Sequence, residues 1–152
     1  MEVRARTFVA LTVLRVGLGL VFVVAGGLKL FDPGGSVAAV ASYRLFPGWA
    51  EQILGRALPP IEVAIGLMLI AGLWTRLAAI AASVFLVGFL VAMGSAWARD
   101  LPISCGCFGS VTEGDGIGAF EIGRDLLFLA TAGIVIWKAR LGWGMDRWLR
   151  QA

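Results

Sequence analysis

Four apolar runs, each long enough to cross about 30 Å of hydrocarbon, decide what this chain can fold into. They cover residues 7–30, 58–74, 76–97 and 117–137. Lipid offers no water to unpaired backbone groups, so runs of this length cross as helices, which satisfy their N–H and C=O groups internally. The composition agrees: 59% of the 152 residues are hydrophobic and 15% charged. With a mean hydropathy of +0.88, the chain lies well outside the soluble norm. The expected fold is all-α: an integral membrane four-helix bundle in one domain over 1–152, with short interfacial helices in the first outer loop.

The second run has an uncharged part that covers only 63–74. It reaches spanning length by including Leu58 and Ile61, which leaves Glu62 near the interface. The first run follows a basic N-terminal stretch, as a signal peptide would. It is longer than a usual signal-peptide core and no A-x-A-like site closes it, so it is expected to stay as the first span.

Basic residues near span ends favour the cytoplasmic side. With four crossings, Arg4, Arg6, Arg76, Lys138, Arg140, Arg147 and Arg150 share one face and only Arg44, Arg56 and Arg99 the other. Both termini are therefore expected in the cytoplasm, and the loop between the third and fourth runs outside it. The pI of about 9.4 then reflects topology and anionic lipid, with no nucleic-acid partner implied.

The stretch 31–57 is too polar to span and too apolar for a free linker. Asp32-Pro33-Gly34-Gly35 breaks the first helix, Ser36 is placed to cap a short one through Val37, Val40, Ala41 and Arg44, and Pro47-Gly48 starts another turn. Tyr43, Phe46 and Trp49 fit an interfacial belt. This segment either coats the bundle or forms a lid over the loop on the same side. The tail at 141–152, with Trp143, Arg147, Trp148 and Arg150, reads as an interfacial helix.

Six ionisable residues fall inside the expected spans: Arg15, Lys29, Glu62, Glu121, Arg124 and Asp125. Each costs about 2.5–3.5 kcal/mol at a helix centre unless it pairs, snorkels or lines a wet cavity. Three are basic and three acidic, so mutual pairing is open to them. Arg15, Gly19, Phe22, Gly26 and Lys29 recur at steps of four and three, which places them on one stripe of the first helix, facing the bundle. Glu121, Arg124 and Asp125 sit on adjoining positions of one face of the last. A polar chamber in the outer half is expected, with Arg15 lying deeper. Ala78 with Ala82, Ala79 with Ser83 and Gly88 with Ala92 are spaced for close helix packing.

The only two thiols stand one residue apart in Cys105-Gly106-Cys107-Phe108-Gly109. Gly106 relaxes the backbone between them, and a disulfide closed over so short a loop departs from relaxed geometry and is more readily reduced. On the outer side of a membrane such a bond can persist, whereas cytosolic thiols would reduce it. Lys29 or Arg124 could favour the thiolate, and Glu62 or Asp125 could carry protons.

Together these residues resemble the MauE branch of the DoxX-like membrane proteins, named for methylamine utilisation. The resemblance covers most of the chain. It rests on Arg15 to Gly19, Phe22, Gly26, Lys29 and Leu30, on Tyr43 and Pro47, on Glu62, and on Cys105-Gly106-Cys107-Phe108-Gly109. Many relatives carry an acidic residue before the first cysteine, where Ser104 stands here. The resemblance implies a four-helix membrane protein that works with thioredoxin-like partners in maturing exported, disulfide-containing proteins. More distant DoxX-like relatives imply quinone chemistry.

The function expected from these readings is a membrane thiol-disulfide oxidoreductase. Cys105 and Cys107 exchange disulfides with a partner, and a membrane quinone is a candidate second substrate. Three other readings stay open. A structural disulfide would make the protein a scaffold, two thiolates could hold Cu(I), and the buried charges could line a transport path. No zinc or iron-sulfur ligand set is present in the monomer's sequence.

Overall fold

The computed structural model describes residues 2–99 and 119–138, with the side chains of 9–99 and 122–138. The Cys105 to Gly109 motif and the tail at 141–152 lie outside the described residues. Five helices follow one another: α1 (Glu2–Phe31), α2 (Pro33–Ser42), α3 (Gly48–Ala71), α4 (Thr75–Trp97) and α5 (Ala119–Lys138). Every regular element among the described residues is helical. Within them, Val9–Phe31, Gly48–Ala71 and Thr75–Trp97 are long and apolar enough to cross a membrane. The chain is an all-α, multi-pass membrane protein. Helix α5 carries Glu121, Arg124 and Asp125 in its first two turns.

The tightest seam joins α1 to the antiparallel α3. A Cβ on Gly19 would stand 2.8 Å from the Gly66 carbonyl oxygen, one on Gly66 2.6 Å from that of Gly19, and one on Gly26 2.8 Å from that of Pro59. Only residues without side chains allow backbones this close, and such approach substitutes for a hydrophobic drive that lipid cannot supply. The stripe expected on α1 faces this seam: Arg15, Gly19, Phe22 and Gly26 are buried and Lys29 is half-buried. The core continues through Leu69, Ala78, Ala79 and Ala82 to Ala132 and Val135. Outward residues such as Val13, Leu67, Leu77 and Val84 stay exposed, as lipid-facing side chains do.

A tight turn joins α3 to α4. Gly72 adopts the left-handed conformation at φ 69° and the following amides bond back, Gly72 N–H to Leu69 C=O and Leu73 N–H to Met68 C=O. This is the glycine stop that helices commonly use. Ala78, Ala79 and Ala82 pack closely, as their spacing predicts. Gly88 does not: nothing lies within 4 Å of the position its Cβ would take, because α3 and α4 have diverged at that height.

The helix that contains the second run begins at Gly48, ten residues ahead of the expected 58, and continues through Pro59-Pro60. Proline inside a helix removes the amide that would bond the carbonyl four residues back. For Pro59 that carbonyl belongs to Gly55, and it accepts a 2.6 Å hydrogen bond from Ser36 Oγ on α2. The missing backbone donor is thus replaced by a hydroxyl from the neighbouring helix, a compensation known for prolines in membrane helices. Ser36 is consequently not the cap of α2. Asp32 is, its carboxylate accepting from Gly35 N–H at 2.9 Å with Pro33 in the first turn.

Helix α2 lies across the ends of α3 and α4 as a strap. Val37 rests on Gly55, where any side chain would meet the Val37 backbone. Tyr43 is not a belt residue: it is 6% exposed and packs with Met93 and Ala96 on α4, because the strap turns inward there. Phe46 and Trp49 remain exposed. Arg99 fastens the turn from the other side. Its guanidinium donates to the carbonyls of Tyr43 at 2.6 Å and Arg44 at 3.5 Å, and to the Ser95 carbonyl and hydroxyl at 2.9 and 3.0 Å. One cation so serves the carbonyl ends of two helices, where the macrodipole favours positive charge.

Candidate functional site

Four of the six ionisable residues expected in the spans meet in one place. Lys29 Nζ on α1 lies 2.8 and 3.0 Å from the two carboxylate oxygens of Glu62 on α3. Both side chains are nearly buried, at 9% and 3% exposure. On α5 the Arg124 guanidinium donates through Nε and Nη2 to Asp125 Oδ1, each at 3.2 Å, and Asp125 is 2% exposed. All four line a small cavity of about 40 Å³, walled by Phe22, Phe89 and Phe128 among others. Their formal charges sum to zero, which offsets the cost of burying four ionisable groups together.

Each pair has a local reason. Glycine at position 26 lets α1 approach the Glu62 turn of α3, bringing Lys29 within reach one turn further on. Arg124 and Asp125 are neighbours in sequence, so their pairing requires the guanidinium to fold back along α5 towards the carboxylate. The Lys29 ammonium also stands 4.8 Å from the centre of the Phe89 ring, within the range of a cation–π contact.

Arg15 is not part of this group. Its Nη1 donates to Thr75 Oγ1 at 3.5 Å, at the turn where α4 begins. Fourteen residues of α1 separate it from Lys29, or about 21 Å along the axis. Arg15 thus stands apart from the other charges along α1, outside the cluster that they form. Glu121 belongs to α5, but its side chain is not among those described, and Cys105, Gly106, Cys107, Phe108 and Gly109 lie outside the described residues.

A second, larger cavity of about 280 Å³ opens where α3 and α4 diverge beneath the strap. Its walls include Tyr43, Phe46, Leu54, Leu58, Phe85 and Phe89, an apolar and aromatic lining. Two of the residues expected in a lid, Tyr43 and Phe46, therefore line a cavity, and Trp49 stands on the first turn of α3 at 71% exposure. Phe89 borders both cavities. It carried no sequence signal, being one apolar residue in an apolar run. The Ser36 to Gly55 bond was foreshadowed by a proline four residues after Gly55, and the Arg99 clamp by an arginine just past a helix end.

A multi-pass helical membrane protein with a charge-balanced pocket between its helices is the class these features define. The chain belongs to the MauE family, whose model, described as methylamine utilisation protein MauE, matches residues 7–138. A methylamine utilization protein MauE of Paracoccus denitrificans is 32% identical over 96 residues, which are 62% of this chain and 52% of that protein. The chain thus spans about half the length of this curated relative. No solved structure matches.

Proposed function

We propose that this MauE-family protein is a thiol-disulfide oxidoreductase of the cytoplasmic membrane, with four crossings, cytoplasmic termini and its cysteines facing outward. The Cys105–Cys107 disulfide is attacked by a thiolate of a thioredoxin-like or exported partner, forming a mixed disulfide. The partner's second thiolate then resolves it, leaving an oxidised partner and a Cys105/Cys107 dithiol. Two electrons and two protons pass from that dithiol to a membrane quinone, which restores the disulfide and leaves as quinol. By likeness to the named relative, the exported partner belongs to methylamine utilisation.

The observation that carries this reading is the ionic pocket of Lys29, Glu62, Arg124 and Asp125. It sits at the end of the bundle from which the chain leaves α4 and re-enters α5, and the intervening 21 residues, 98–118, hold both cysteines. Thiol oxidation releases protons, and carboxylates buried in a membrane protein are groups that relay them. The aromatic cavity next to it has the apolar lining and scale of a small-molecule site.

The test uses purified full-length protein in lipid nanodiscs with a reduced thioredoxin-like protein and decylubiquinone. Quinone reduction should proceed with the native chain, fall at least about a hundredfold in Cys105→Ser and Cys107→Ser, and leave thermal stability unchanged. One single-cysteine variant should also trap the partner as an adduct that dithiothreitol releases. Equal turnover by the serine variants would refute the proposal.

A further inference from the structure

The aromatic cavity and the ionic pocket are two spaces that share one lining side chain. Phe89 lines both. Its ring is held by the Lys29 ammonium at 4.8 Å. An ammonium has three N–H donors. Two go to the Glu62 oxygens, at 2.8 and 3.0 Å, and the third is left to the ring face, which is the weakest of the three partners. A hydrogen-bond acceptor arriving from the cavity side could replace that ring contact at small cost.

The charge count decides which acceptor. With two cations and two carboxylates the pocket is already neutral, so an anionic head would bring an uncompensated charge into a span. A neutral carbonyl adds an acceptor and no charge. The remainder of the ligand would lie in about 280 Å³ of apolar space bounded by Phe46, Phe85 and Leu58, which fits a ring and the first part of a hydrocarbon tail.

We propose that Phe89 is a gate. When its ring swings aside, the two cavities become one amphipathic site, and Lys29 Nζ binds the ring carbonyl of a lipid-soluble quinone. This rests on the quinone half of the function proposed above and adds to it the residues that admit and hold the head. Lys29 is a binding residue in this arrangement and Glu62 a positioning residue that orients it.

Binding is measured apart from turnover, on full-length Cys105→Ser/Cys107→Ser protein in nanodiscs. The probes are decylubiquinone and decylbenzene, which lacks the carbonyls. Removing Lys29 alone would strand Glu62, so the pair is neutralised together as Lys29→Gln/Glu62→Gln. The expected results are three. Decylubiquinone binds this background more tightly than decylbenzene does. The neutral pair weakens the quinone about tenfold or more, the effect of one charge-assisted hydrogen bond, and leaves decylbenzene unchanged. Phe89→Ala speeds quinone association several-fold, whereas Phe89→Trp slows it. Quinone binding that is indifferent to all three variants overturns the gate and leaves the oxidoreductase reading standing. Equal affinity for the two probes assigns the cavity to acyl chains and overturns the gate as well. No quinone binding to the unaltered pocket overturns the gate together with the quinone half of the proposed function.

Discussion

The seam between α1 and α3 and the cleft between α3 and α4 are built from helices of similar length and apolarity, yet one is closed to backbone contact and the other holds a cavity. Sequence proximity does not explain this. Helices α3 and α4 are separated by three residues, whereas α2 and its turns intervene between α1 and α3. What differs is the facing residues. Gly19, Gly26 and Gly66 remove the side chains that would hold α1 and α3 apart, while Leu54, Leu58, Phe85 and Phe89 keep α3 and α4 apart near the strap. In lipid, where burying an apolar side chain against another gains little over burying it against an acyl chain, the location of small residues decides which helix pairs close.

The largest test of this contrast strikes the Lys29–Glu62 ion pair across the seam. Lys29→Met leaves Glu62 charged and unpaired in a buried setting, and should cost about 3–5 kcal/mol of stability, read by thermal unfolding in nanodiscs. Lys29→Gln/Glu62→Gln should recover most of that loss. Next in size is Gly66→Val. Its new side chain meets the Gly19 carbonyl and the Val23 amide, neither of which can yield without moving a helix. About 3 kcal/mol of overpacking is expected, with a broadened gel-filtration profile, whereas Gly88→Leu in the cleft should elute and melt like the native chain. If the two added side chains were tolerated alike, the contrast between seam and cleft would fail.

Two smaller effects sharpen the picture. Ser36→Ala strips the Gly55 carbonyl of its hydroxyl partner and should lower stability by about 1–3 kcal/mol, with faster hydrogen exchange confined to the first turns of α3. Gly88→Ala should raise the melting temperature slightly, by the equivalent of roughly 0.5–1 kcal/mol, since it adds helix propensity where no neighbour objects.

Much of α1 was legible beforehand, because a buried stripe on a long helix leaves a period that survives in the residues themselves. Arg15, Gly19, Phe22, Gly26 and Lys29 betrayed the seam before any partner was known. The ionic group was legible as a set of charges that had to be reconciled. Who pairs with whom was not, since that depends on helix rotation and on how close Gly26 lets α1 come to Glu62. Hydropathy sets the start of the second run at 58, whereas α3 begins at Gly48 and runs on through Pro59-Pro60, where a hydroxyl from α2 replaces a lost backbone donor. Arg15 shares the stripe of Lys29 but not its neighbours, because a stripe sets a face and the partner at each height is set by the helices packed there. The α3–α4 cleft left no trace, because a cavity lined by leucine and phenylalanine reads like any apolar run.

The borrowed bond at Gly55 has a bearing on how the chain is made. A helix whose backbone is completed by a side chain from another segment is not self-sufficient when it leaves the ribosome. Since α2 is synthesised first, it can wait at the membrane surface and supply Ser36 as soon as Gly55 and Pro59 emerge. The order of segments along the chain therefore makes the strap available before the helix whose backbone it completes.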